Sequence, residues 1–326
     1  MSVLRAPPSE PGAATPRAAE WRRTPERGSS GSLRAMAWLS LRLGRRAGRV
    51  VLYGIAVYFF LFAPRARKSM RAYLARALGR QPGARDRFRQ VLYFATAIHD
   101  RLYLLAERFE LFRVTEQGEE LMREVVATGH GALLMGAHMG SFEVLRWIGV
   151  RQPGLAVTMA MYEDNARKLN AILGTLAPAH PPDIVAIGHL DAMLHIRARL
   201  ERGALVGILA DRRFGSEAVQ AVSFLGETAY LPTGPMRAAA MLRRRVVFML
   251  GLYRGGNRYH VVFEPLADFS LTPPGQRQSA VAAAIARYAA LLEQHCRNDP
   301  YNWFNFFDFW RSDAEARSIA NGTPRG

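Results

Sequence analysis

Apolar and polar positions along the chain change period several times, and those changes predict the elements of a fold. Residues 50–63 (VVLYGIAVYFFLFA) form the most apolar run, with two tyrosine hydroxyls as its only polar side-chain atoms. Arg42, Arg45, Arg46 and Arg49 precede it, and Arg65, Arg67, Lys68 and Arg71 follow. A bilayer span wants roughly 20 apolar residues, and this run has 14. Its basic flanks suit a helix lying in an anionic interface. Snorkelling arginines and the upstream Trp38 and Leu39 leave a full span open, and a buried core helix is the third reading. No small-residue cleavage site follows, which argues against a removed signal peptide.

Beyond this run the period is helical over 70–78, 86–112 and 116–128, then alternates. Short apolar runs at 132–136, 155–159, 183–187, 204–209, 246–252 and 259–263 predict strands. Helical segments at 142–150, 165–176, 191–202 and 235–244 separate them, and a long helix is predicted at 276–297. Strands alternating with helices of this length predict an α/β fold: a mostly parallel central sheet covered by helices on both faces. The last two strands, joined through Arg254-Gly255-Gly256-Asn257, read as a hairpin. Residues 1–32 carry almost no large apolar side chains and read as a disordered basic tail. The organisation expected is therefore a tail (1–32), an apolar membrane-anchor region (33–67), a catalytic α/β domain (68–311) and a flexible C-terminal tail (312–326).

The most informative stretch is 132–146, ALLMGAHMGSFEVLR. A buried strand delivers His138 to a turn containing Gly140 and Ser141, and Glu143 follows in the first turn of the predicted helix. On one continuous helix, side chains five apart diverge by about 140°. The turn lets the carboxylate fold back onto the imidazole, and Ser141 is placed to cap the helix. A histidine held by a carboxylate is a general base suited to a hydroxyl or amine near neutral pH. An isolated pair of this kind is more often structural, and its place at the carboxyl end of a strand is what favours chemistry. The N–H groups of the 139–141 turn, or Arg167, are the expected holders of an oxyanion.

Other clusters weigh less. Arg167 and Lys168 follow Glu163 and Asp164 on a predicted helix; they make a phosphate clamp or a self-paired solvated face. Asp211, Arg212 and Arg213 end the strand at 204–209, where a substrate site or a simple ion pair both fit. Phe224-Leu225-Gly226 and 230–235 (YLPTGP) read as a loop. Residues 300–310 (PYNWFNFFDFW) hold seven aromatics in eleven positions and fit neither period, so they read as a lid over the sheet or an interfacial belt. Asn302, Asn305 and Asp308 within it are polar candidates with no basis for choosing among them. The remaining histidines show no metal-ligand spacing.

Composition changes this picture modestly. The net charge of +17 favours anionic partners: a phospholipid surface, an acidic carrier protein or nucleic acid. No recognisable nucleic-acid module is present. Lys68 and Lys168 are the only lysines among 44 basic residues, a skew that reads as coding bias. The single cysteine, Cys296, excludes an intramolecular disulfide and reads as a packing residue.

Together, these motifs resemble the lipid A late-acyltransferase family, within the wider lysophospholipid and glycerol-phosphate acyltransferase superfamily. His138 to Glu143 (HMGSFE) is similar to that family's H-x4-[DE] motif, and the Arg167 block, Asp211-Arg212 and 224–235 resemble its later blocks. The resemblance covers roughly residues 38–311. The 300–310 segment resembles a subgroup associated with aryl-polyene or polyketide-type lipids. This implies transfer of a fatty acyl group from acyl carrier protein, or acyl-CoA, to a hydroxyl or amine of a membrane lipid or glycolipid. It implies His138 and Glu143 as catalytic residues, with Arg167, Asp211, Arg212, Gly140 and Ser141 binding substrate. It also implies no cofactor or metal, and a place on the cytoplasmic face of the inner membrane. The rival readings are a non-catalytic carrier- or lipid-binding membrane protein and a thioester hydrolase.

Overall fold

A computed structural model describes residues 30–151, 155–176, 181–188, 191–213 and 217–310. The expected tails, residues 1–32 but for its last three positions and 312–326, lie outside the described residues. Three helices come first: α1 (Ser30–Phe62), α2 (Pro64–Leu78) and α3 (Ala84–Leu105). Then β1 (Arg113–Gln117), α4 (Glu119–Ala127) and β2 (Ala132–Gly136) lead through a 3-10 turn (Phe142–Val144) into α5 (Leu145–Arg151). The chain continues with β3 (Val157–Tyr162), α6 (Glu163–Leu176), β4 (Asp183–Ile187), α7 (Ala192–Glu201) and β5 (Leu205–Leu209). It closes with β6 (Val219–Phe224), β7 (Glu227–Pro232), α8 (Gly234–Met241), β8 (Arg245–Tyr253), β9 (Arg258–Asp268) and α9 (Arg277–Asn298).

The sheet has seven strands in the order β1-β9-β8-β2-β5-β3-β4. Only β8 and β9 run antiparallel, as the predicted hairpin. The α/β expectation therefore holds, with two differences. β1 fills the gap between the helices read at 86–112 and 116–128 and takes the first two residues of the second, its exposed–half-buried alternation marking an edge strand beside β9. Residues 219–232 form a separate hairpin, β6–β7, instead of a loop, with Leu225 and Gly226 at positive φ in the turn. Helices cover both faces. One core joins α2, α7, α8 and α9 to the sheet through Tyr73, Leu200, Phe248 and Tyr288. The other joins α3 and α4 through Tyr103, Leu104, Met122 and Phe263. Each such fully buried side chain contributes about 1.5–3 kcal/mol relative to exposure.

α1 breaks at Gly44, which has φ 80° and ψ 163°. Among the described residues no single helix is long and apolar enough to cross a membrane; the bent pair 44–62 and 64–78, at 93°, passes only together. Leu52 and Ala56 pack inward, while Val50, Val51, Tyr53, Ile55, Val57, Tyr58, Leu61 and Phe62 are exposed. Arg45 pins this helix to α3 with two bonds to Asp100, each 2.7 Å, over the Phe112 ring. Asp100, in turn, accepts the Tyr259 hydroxyl at 2.9 Å.

Candidate active site

β2 and β5 are parallel neighbours at the centre of the sheet, with Gly136 opposite Leu209. The register therefore sets the residues two positions beyond, His138 and Asp211, against each other. Asp211 Oδ1 lies 2.8 Å from His138 Nδ1. Its Oδ2 accepts the His138 backbone N–H and the Trp303 indole N–H, both at 3.1 Å. A carboxylate accepts, so Nδ1 carries the hydrogen and Nε2 keeps the lone pair. The Asp211 side chain is 1% exposed and that of His138 is 28% exposed. Burial pushes the Asp211 carboxyl up, but the His138 charge and these donors outweigh it and bring it to about 2. Burial and the Arg212 charge hold His138 below its usual range, against the opposing pull of Asp211 and Glu143.

Glu143 does not occupy the place expected of it. The chain is extended at Ser141 and then tightens into the 3-10 turn, which presents Glu143 to α3. There its Oε1 sits 2.6 Å from Arg101 Nε, and its Oε2 accepts the Ser141 hydroxyl at 3.1 Å. Ser141 thus binds Glu143 and makes no side-chain cap to the helix. Glu143 reaches His138 by charge, while the ring nitrogen it was expected to hold belongs to Asp211.

The turn itself is a structural joint. Met139 N–H donates to Ala137 O (2.6 Å), Gly140 N–H to Asn302 O (2.9 Å), and Ser141 N–H to Gly251 O (2.8 Å). All three donors expected to hold an oxyanion are already used. Gly140 adopts φ +72°, and a Cβ there would stand 2.0 Å from Gly251 O, so glycine serves the close approach of β8. Arg167 is exposed on α6 and pairs with Asp164, the self-paired alternative. Asp211, expected to bind substrate, instead stands behind the imidazole. Half-buried Arg212 donates to Phe304 O at 2.8 Å and lies over the Phe307 ring at 5.3 Å.

The aromatic segment is the part that sequence periodicity missed. Asn302 mimics a strand partner: its Oδ1 accepts from Tyr253 N–H (2.8 Å) and its Nδ2 donates to Tyr253 O (3.1 Å). Trp303 is buried among Tyr73, Phe224 and Phe309, with ring centroids 4.8, 5.4 and 4.8 Å away. Phe304 N–H donates to His138 O at 2.8 Å. Residues 302–304 are thereby tied to the end of β8, to Asp211 and to His138 in turn, which is why they follow neither period.

A buried aspartate and a tautomer-fixed, partly exposed histidine at the carboxyl edge of a mainly parallel sheet define an α/β enzyme equipped for proton transfer. Residues 21–312 match the profile described as bacterial lipid A biosynthesis acyltransferase, and the chain belongs to that family. It is accordingly an acyltransferase of lipid biosynthesis, with an acyl donor and a lipid acceptor as its substrates. No curated protein matches the chain.

Proposed function

We propose that this protein transfers a fatty acyl group from a carrier-protein or coenzyme A thioester to a hydroxyl or amine of a lipid or glycolipid, with His138 as general base. The observation that carries the reading is the commitment of Nδ1 to Asp211, which leaves Nε2 of the partly exposed His138 side chain as the base. Nε2 takes the acceptor proton as the acceptor heteroatom bonds to the thioester carbon. The carbonyl re-forms, the C–S bond breaks, and the imidazolium returns its proton to the departing thiolate. Asp211 holds the tautomer and stabilises the imidazolium. Glu143, restrained by Arg101, adds negative charge that raises the basicity of the ring.

The exposed face of α1 supports work at a bilayer on the cytoplasmic face of the inner membrane. Inserting its eight half-exposed apolar side chains contributes on the order of 5–10 kcal/mol. Arg46, Arg65, Lys68 and Arg71 are exposed beside that face and suit anionic headgroups. The test is mass spectrometry of total lipids from cells making the active protein or His138→Ala. One added acyl mass on a lipid, absent in the variant, is the expected result. Identical lipid profiles would overturn the reading.

A further inference from the structure

We propose that the Asn305 carboxamide, buried between Phe304 and Phe306 in the stretch spanned by Arg212, donates to the carbonyl oxygen of the acyl thioester. The inference rests on the acyl-transfer reading above and adds a residue to it. Asn305 is 1% exposed, and among the described residues neither its Nδ2 nor its Oδ1 has a partner. A buried polar group left unpaired costs about 1–3 kcal/mol, and native interiors leave few of them. The carboxamide is therefore left with hydrogen-bonding capacity that its described neighbours do not use.

Its surroundings say what kind of atom. Phe304, one peptide unit away, donates its N–H to His138 O and accepts from Arg212, which also covers Phe307. Asn305 thus directly follows a residue whose backbone is bonded to both His138 and Arg212. On the apolar side, the rings of Phe304 and Phe306 both pack on Phe94, at 5.3 and 4.9 Å. Phe306 also meets Phe59 of α1 at 6.1 Å. A lone amide at the inner end of an aromatic layer that reaches the exposed helix suits an amphiphile with a long apolar tail and one carbonyl. As the acceptor adds to the carbonyl carbon, the π pair moves to oxygen and the Asn305 N–H holds that charge. The same pair returns to re-form C=O as the C–S bond breaks.

The need for such a donor is independent of the burial argument, because the turn N–H groups are all used. Gln90 also has an unpaired buried atom, but that atom is Oε1, since its Nε2 already donates to Trp303 O at 2.7 Å. An acceptor offers nothing to a developing oxyanion. The Asn305 amide supplies a hydrogen.

The test uses full-length protein in anionic vesicles and two non-transferable donors on acyl carrier protein and, in parallel, coenzyme A. One is an S-(2-oxoalkyl) thioether, which carries a ketone carbonyl one methylene further from the sulfur than in the thioester, and the other is a plain S-alkyl thioether without a carbonyl. Wild type should bind the carbonyl form at least about tenfold more tightly, and Asn305→Leu should bring that ratio close to one. Turnover of N305L should fall about 10²–10³-fold with KM within a few-fold. N305L should melt at or above wild type, because it removes an unpaired buried amide. Asn305→Ala is the second variant, with the same loss of discrimination. A wild-type ratio in either variant, turnover within threefold, or a lower melting point in both would overturn the assignment. A wild type that neither transfers acyl nor binds either donor would instead overturn the acyl-transfer reading itself.

Discussion

Asp211→Asn isolates the orienting carboxylate because the three donors it receives divide unevenly. Oδ2 accepts two of them, His138 N–H and Trp303 Nε1–H, while Oδ1 meets His138 Nδ1 alone. An asparagine amide keeps one acceptor oxygen and gains an NH2 group. Placing NH2 at the Oδ2 position sets it against two donors that cannot be reversed. Placing it at the Oδ1 position opposes one, and the imidazole relieves that conflict by moving its hydrogen to Nε2. The favourable rotamer therefore keeps the fold and blocks the base. By analogy with the serine protease triad, where the same aspartate change costs about 10⁴ in kcat, D211N should lose about 10³–10⁴. The three bonds are kept but all lose their charged acceptor, so stability should fall by about 1–3 kcal/mol. Single-turnover acyl transfer with a radiolabelled donor, read beside a thermal melt, separates the two effects. Turnover within tenfold of wild type would refute the tautomer argument. So would a Glu143→Gln variant more damaged than D211N, which would return the orienting role to Glu143.

Other consequences follow from the same geometry. His138 is held below its ordinary pKa and must be neutral to act, so kcat/KM should rise with pH along an acid limb centred below 6.5; Asp211, at about 2, stays ionised throughout. Glu143→Gln removes a charge that raises the His138 pKa, so the limb should move further to acid, with a loss of roughly three- to tenfold at neutral pH. A limb that moves to alkaline pH would contradict the charge assignment. Gly140→Ala combines positive φ with a Cβ 2.0 Å from Gly251 O and should destabilise by about 3 kcal/mol or more, read by chemical denaturation; wild-type stability would show that β8 does not hold the turn. Replacing Val50 and Leu61 together by Asp should weaken sedimentation with anionic vesicles at least tenfold while leaving the melt unchanged, since both side chains are exposed; unchanged vesicle binding would remove α1 from the membrane contact.

Much of the sheet was legible because its strands are short apolar runs bounded by polar turns: 132–136 and 183–187 match the central β2 and the edge strand β4 residue for residue. β1 was not, because its five residues (RVTEQ) are mostly polar and alternate exposed and half-buried with no fully buried position, and its last two fall in the helical segment read at 116–128. The site was half legible. His138 and Asp211 were each recognised as polar residues just beyond a strand, but their pairing is a register fact. It depends on β2 and β5 being neighbours, while β3 and β4 intervene in sequence and lie outside β5 in space. Glu143 drew attention because it is close in sequence. Its actual partner, Arg101, stands on α3, and no local pattern links the two.

Two carboxylates around one histidine would ordinarily make a stable imidazolium, which is useless as a base. The surroundings of His138 prevent that. Burial and the Arg212 charge oppose the carboxylates and prevail, so the ring is held neutral. Arg101 meanwhile sits on Glu143, which tempers the more distant of the two negative charges. Asp211 is left as the group whose effect is chiefly directional: its fixed oxygen decides which nitrogen is free. A base built this way gains its proton affinity as the acceptor heteroatom bonds to the thioester carbon, when the developing imidazolium meets a carboxylate already in place and no solvent has to reorganise. It follows that Arg212 and Arg101 act in the same sense by different routes, one directly on the ring and the other through Glu143. Loss of the Arg212 charge should raise the His138 pKa, and loss of Arg101 should do the same through an unshielded Glu143. Adding the Glu143→Gln change should cancel the second effect and leave the first intact.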